Sequence, residues 1–123
     1  MRALVIDDSR AMRSILGHIL RGLGFEVGEA KDGREGLERL RGTPGVDLVL
    51  VDWNMPEMTG LEFVRAVRAE EQFNAVRLMM VTTETEIKQM TLALSAGANE
   101  YAMKPFTREV IQDKLALLGL GPR

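Results

Sequence analysis

Five side chains in this sequence could do chemistry together: the adjacent pair Asp7 and Asp8, the isolated Asp52, the hydroxyl of Thr82, and the ammonium of Lys104 ahead of Pro105. Taken singly, each has a plain structural reading. Asp7 and Asp8 fit a solvated strand end, Asp52 a turn, Thr82 a helix cap and Lys104 the residue before a structural turn. Gathered at one place, three carboxylates repel one another and each raises the others' pKa, so a fold that gathers them needs a cation. A divalent ion with oxygen ligands is the natural remedy, and magnesium suits a few carboxylates completed by water. Three aspartates, Lys104 and such an ion balance to zero charge. A site so balanced can accept a phosphoryl group on a carboxylate. Asp52 would be the nucleophile, Thr82 a hydroxyl donor to the phosphoryl oxygen and Lys104 its cationic partner.

The elements that must position these groups follow from hydrophobic period. Ala3 to Ile6 is expected as a first strand, ended by Asp7 and Asp8. Ser9 then caps a helix whose apolar positions Met12, Ile15, Leu16, Ile19, Leu20 and Leu23 recur three or four apart, stopped by Gly24. Phe25 to Ala30 reads as a second strand. Asp32 and Glu35 have capping-box spacing ahead of a helix carrying Leu37 and Leu40. After a turn at Thr43 to Gly45, Asp47 to Val51 is a third strand, apolar enough to be buried on both faces. Thr59 and Glu62 form a second capping box, opening a helix with Leu61, Val64 and Val67 on one face. Val76 to Val81 is a fourth strand. A helix from about Glu84 to Ala96 turns Ile87, Met90 and Leu94 inward. Glu100 to Met103 is a short fifth strand, and Thr107 caps a last helix burying Val110, Ile111, Leu115 and Leu118.

Strands alternating with helices imply βαβ units and a doubly wound α/β fold, a parallel sheet covered on both faces. Ligands in such sheets bind at the carboxyl ends of the strands. That places the chemistry immediately after each strand: Asp7 and Asp8 after the first, Asp52 after the third, Thr82 after the fourth, Lys104 after the fifth.

Composition narrows the function further. At 123 residues there is room for one domain, spanning 1–123. With 46% hydrophobic and 28% charged residues, the chain has a globular balance. A net charge of -2 offers no basic field for nucleic acid. The absence of cysteine excludes disulfides, thiol chemistry and cysteine-ligated metals. Apolar runs such as Leu48 to Val51 are far too short to span a bilayer. The chain enters its first strand without a signal-peptide layout, so a cytoplasmic location and no membrane insertion are expected.

The order of the motifs, from Val5-Ile6-Asp7-Asp8-Ser9 to Lys104-Pro105-Phe106, resembles the response-regulator receiver family throughout. Within it, Asp52-Trp53-Asn54-Met55-Pro56 followed by Gly60-Leu61-Glu62 is most similar to the single-domain, CheY-like chemotaxis regulators. The resemblance implies a flavodoxin-like five-stranded sheet of order 2-1-3-4-5 with five helices. It implies that Asp52 is the phosphoacceptor, served by a histidine kinase. Magnesium would be held by Asp8 and Asp52 directly, Asp7 mainly through water, and the backbone carbonyl of Asn54. Thr82 and Lys104 match the switch threonine and the phosphoryl-binding lysine, and Lys104-Pro105 matches a cis peptide bond. Asn54 and Glu84, two residues after Asp52 and Thr82, match positions that tune the lifetime of the aspartyl phosphate. Thr83 departs from the usual Ala or Gly and would narrow access to Asp52. Tyr101 falls where these proteins carry an aromatic that turns inward with the threonine. Output would then pass by protein-protein contact through the fourth helix, fifth strand and fifth helix, with the flagellar motor switch as target and a phosphatase as a possible partner.

Other readings compete with this one. A phosphorelay intermediate or phosphate sink would use the same chemistry without a motor target. A phosphohydrolase with Asp52 as nucleophile needs a second aspartate at position 54 as general acid, and Asn54 cannot serve. An FMN-binding protein needs a Ser/Thr/Gly-rich loop where Asp7-Asp8-Ser9-Arg10 would repel a phosphate. Packing is an equal alternative for Tyr101. Trp53 is expected partly exposed beside the site, Thr59 and Gly60 as cap and turn, and His18 as a surface histidine. The eight methionines read as core filler and adaptable surface, with Met90 or Met103 able to line a partner-binding face.

Overall fold

The computed structural model describes residues 1–120, and of Glu84 and Thr85 the backbone alone. Strands β1 (Arg2–Ile6), β2 (Glu26–Ala30), β3 (Val46–Asp52), β4 (Arg77–Thr82) and β5 (Glu100–Met103) alternate with helices α1 (Arg10–Gly22), α2 (Gly33–Gly42), α3 (Gly60–Arg68), α4 (Met90–Ala96) and α5 (Arg108–Leu117). The strands pair in parallel, in the order β2-β1-β3-β4-β5. The expected doubly wound sheet is therefore present, with its strand ends registered at one edge.

The period-2 alternation of the central strands sorts their side chains into two cores. Leu4, Ile6, Val49, Val51, Leu78 and Met80 join Leu37, Phe63, Val67 and Met90, from α2, α3 and α4. Ala3, Val5, Leu48, Leu50, Met79 and Val81 join Leu16, Leu20, Ile111 and Leu115, from α1 and α5. Each fully buried aliphatic or aromatic side chain contributes about 1.5–3 kcal/mol. A one-residue slip of β3 would exchange the two sets and lose both fits, so its register is firmly held.

Local signals set the helix starts. Ser9 and Thr107 accept from Met12 N and Val110 N, each at 3.2 Å. Thr59 and Glu62 close a full capping box. The box expected at Asp32 is only half made: Asp32 accepts from Glu35 N, but Glu35 reaches back to the amide of Lys31 instead of that of Asp32.

The largest departure lies after β4. Residues Glu84–Gln89 form a 3-10 helix, and the α-helix begins only at Met90. The short α4 packs against α3 and the core through Met90 and, one turn on, Ala93. Ala93 accordingly joins Met90 inside, while Leu94 is exposed, against expectation. Met90 is core and does not line an open surface. In α5, Ile111 and Leu115 take the interior and Val110 stays exposed at the first turn.

Gly60 does more than turn the chain. A Cβ there would stand 2.7 Å from Met80 Cε and 3.0 Å from Trp53 Cα, so only glycine lets α3 start directly against the backbone leaving β3. Its amide donates to the Trp53 carbonyl at 3.0 Å. Among the described residues no helix is long and apolar enough to cross a membrane.

Candidate functional site

The ends of β1, β3, β4 and β5 bring the sequence-selected residues to one edge of the sheet. Asp52 and Thr82 are the last residues of their strands, one step earlier than expected, because the ladder runs on to include them. Beyond them Trp53 N donates to Val81 O at 3.0 Å, and Lys104 N donates to Thr82 O at 2.6 Å. The second bond ties the chain leaving β5 to the end of β4. The Lys104-Pro105 bond is cis, as the resemblance implied. From there Lys104 Nζ reaches 3.5 Å from Asp52 Oδ1 and 3.7 Å from Asp7 Oδ2.

Asp7, Asp8 and Asp52 can each offer one oxygen so that all three lie within 4.8 Å of one another. Asp7 is 1% exposed, and its Oδ1 accepts from Ser9 N at 2.9 Å. Its Oδ2 is buried and, among the described residues, has no hydrogen-bond partner, with Lys104 Nζ standing off at 3.7 Å, a costly arrangement unless something further satisfies it. Asp8 is exposed and leaves the cluster open to solvent. An orphaned buried carboxylate oxygen in an all-oxygen donor set fits a hard divalent cation.

The electrostatics agree. Burial pushes the Asp52 carboxyl up to about 6, with repulsion from Asp7 adding to it and Lys104 opposing it. Burial also raises the Asp7 carboxyl, while the Ser9 amide and Lys104 pull it back. One lysine is too little charge for three aspartates, which is the deficit a divalent ion would fill.

The remaining predicted residues divide. Asn54 is exposed and its Nδ2 donates to Glu86 Oε1. Thr83 is half-buried, and its carbonyl lies 3.4 Å from Thr82 Oγ1. The side chain of Glu84 lies outside the described residues. Tyr101 is half-buried against the core that contains Met80, with Lys114 Nζ 4.7 Å from its ring centre. Trp53 is 7% exposed, where partial exposure was expected. Its loop turns it under the 3-10 segment, where Nε1 donates to Gln89 Oε1 at 2.6 Å. His18 is exposed, as expected, and so is Met103.

Sequence reasoning missed two residues at this edge. Arg13 donates through Nη1 to the Asp7 carbonyl at 2.6 Å and through Nε to Glu29 Oε1 at 3.1 Å, bracing the turn that presents the aspartates. Its signal was legible: a cation three residues before Leu16, beside the inner stripe of α1. Glu86 accepts from Asn54 and lies 3.4 Å from Thr82 Oγ1. No signal marked it, since its direction depends on the 3-10 geometry.

A profile of the response regulator receiver domain matches residues 3–116. The chain is 43% identical over 119 residues to the chemotaxis protein CheY1 of Helicobacter pylori strain J99, covering 96% of each chain. It is 45% identical over 123 residues to a chemotaxis protein CheY homolog of Campylobacter jejuni, covering 98% of this chain and 95% of that one. Among solved structures, Vibrio cholerae chemotaxis protein CheY4 superposes with a TM-score of 0.87 at 37% identity, over 94% of this chain and 96% of that one.

Proposed function

Since the chain belongs to the response-regulator receiver family and stands close to the CheY chemotaxis proteins, we propose that it takes a phosphoryl group onto Asp52 and signals through the conformational change that follows. The observation that carries this is the meeting of Lys104 Nζ with both Asp7 and Asp52 beside the buried Thr82 hydroxyl. The phosphodonor is a histidine kinase. An Asp52 oxygen forms the new P–O bond as the donor's P–N bond breaks, and the electron pair stays on the histidine nitrogen, which takes a proton. Lys104 balances the charge gathering on the phosphoryl oxygens, and Thr82 donates its hydroxyl to one of them. Asp8, Asp52 and the Asn54 carbonyl would hold magnesium directly and Asp7 mainly through water, and the ion would supply further charge neutralisation at those oxygens.

The protein is a regulator whose only reactions are its own phosphorylation and dephosphorylation, the latter paced by Asn54, Thr83 and Glu84. A shift of Thr82 toward the phosphoryl group draws Tyr101 with it and biases the face formed by α4, β5 and α5. That face meets a protein target in the cytoplasm. Similarity to chemotaxis proteins favours the flagellar motor switch, with a phosphatase ending the signal.

The test is incubation with magnesium and acetyl phosphate, read as intact mass after an acid quench that preserves acyl phosphates. One phosphoryl adduct should form. It should need magnesium and be absent from Asp52→Asn. A folded protein that gains no adduct would refute the reading.

A further inference from the structure

Glu86 sits in the middle of the 3-10 segment, half-buried, and reaches across the mouth of the site. Its Oε1 accepts from Asn54 Nδ2, two residues beyond Asp52 on the chain leaving β3. Its Oε2 stands 3.4 Å from Thr82 Oγ1, at the end of β4. That hydroxyl is equally 3.4 Å from the Thr83 carbonyl. Both distances exceed the usual O–H···O range, so the hydroxyl is weakly held and easily redirected. One carboxylate thus links the chain just beyond the phosphoacceptor to the end of the neighbouring strand β4, and does so through neutral donors.

We infer that Glu86 is an internal stand-in for the phosphoryl group, occupying the Asn54 and Thr82 donors until Asp52 is phosphorylated. The inference rests on the receiver reading and deepens it. A phosphoryl oxygen and the Glu86 carboxylate are both anionic acceptors. Thr82 has a single O–H and cannot serve both. Phosphorylation therefore takes the Thr82 hydroxyl from Glu86 and sets a second anion beside its carboxylate, loosening the 3-10 segment that runs directly into α4. The negative charge of Glu86 also opposes the approach of an anionic phosphodonor. By reciprocity, a partner that draws the 3-10 segment away from the site makes Asp52 easier to phosphorylate.

The experiment compares wild type, Glu86→Gln and Glu86→Ala in magnesium and acetyl phosphate, following initial rates by acid-quenched intact mass. Glutamine keeps the shape and removes the charge, while alanine removes both. Both variants should be phosphorylated about five- to tenfold faster, the size expected when one opposing charge is lifted from an anionic reaction. The gain should shrink as salt rises, because the repulsion is screened. The midpoint of thermal unfolding should stay at the wild-type value, which separates this role from a purely structural one. Rates equal to or below wild type in both variants would overturn the inference while the receiver reading stands. Absence of adduct in all three proteins would instead overturn the receiver reading.

Discussion

Asp52→Asn should make the metal-free protein more stable at neutral pH while abolishing its chemistry. In the folded chain the Asp52 carboxyl keeps its proton up to about 6, against an ordinary value of 3.8, because it is buried and faces Asp7. The folded state therefore binds more protons than the unfolded chain between these values, and stability falls as pH rises through that window. At about 1.4 kcal/mol per pH unit, the two-unit gap amounts to about 3 kcal/mol, fully felt above it. Asp52 is 8% exposed, so solvent screens little of this. Asparagine keeps the shape and carries no charge. Its advantage should be near zero at about pH 4, and up to about 3 kcal/mol at about pH 7.5. Urea denaturation with chelator present, at both pH values, measures this. Magnesium should then stabilise the wild type far more than the variant at the higher pH, by about 1.4 kcal/mol at ten times its dissociation constant. A variant no more stable than wild type at about pH 7.5, or equally advantaged at both values, would refute the assignment of this strain to the buried carboxylate.

Two further outcomes follow from side chains that brace the frame. Arg13→Ala removes the donor on the Asp7 carbonyl and should weaken magnesium binding about tenfold, the scale set by outer-shell partners of metal ligands. A titration of Trp53 fluorescence would check it, and unchanged affinity would count against a bracing role. Arg68→Ala deprives the carbonyls of Phe73, Val76 and Gly97 of bonds of 2.7–3.0 Å and should cost about 2–4 kcal/mol in urea unfolding. Arg68→Lys should recover less than half, because an ammonium cannot reproduce the planar fork. A loss below about 0.5 kcal/mol would place these carbonyls in water instead.

What the sequence determined by itself was what depends on neighbours along the chain. The alternation in β1, β3 and β4 specified two-faced burial, and the hydroxyls of Ser9, Thr59 and Thr107 marked three helix starts. Aspartates and a lysine at strand ends located the functional edge, because parallel strands end together. Tertiary structure decided what depends on the phase and path of irregular segments. The packing of α4 on α3 through Met90 and Ala93 left Leu94 outward, and the 3-10 stretch after β4 aimed Glu86 at Asn54. The loop after β3 buried Trp53 under Gln89. Arg68 found its carbonyls on two separate segments, the connection from α3 to β4 and the turn after α4. A 3-10 turn and an α-helix can share one hydrophobic pattern, and a long cation's acceptors exist only once distant backbone has been folded around it. Residue spacing carries no record of either.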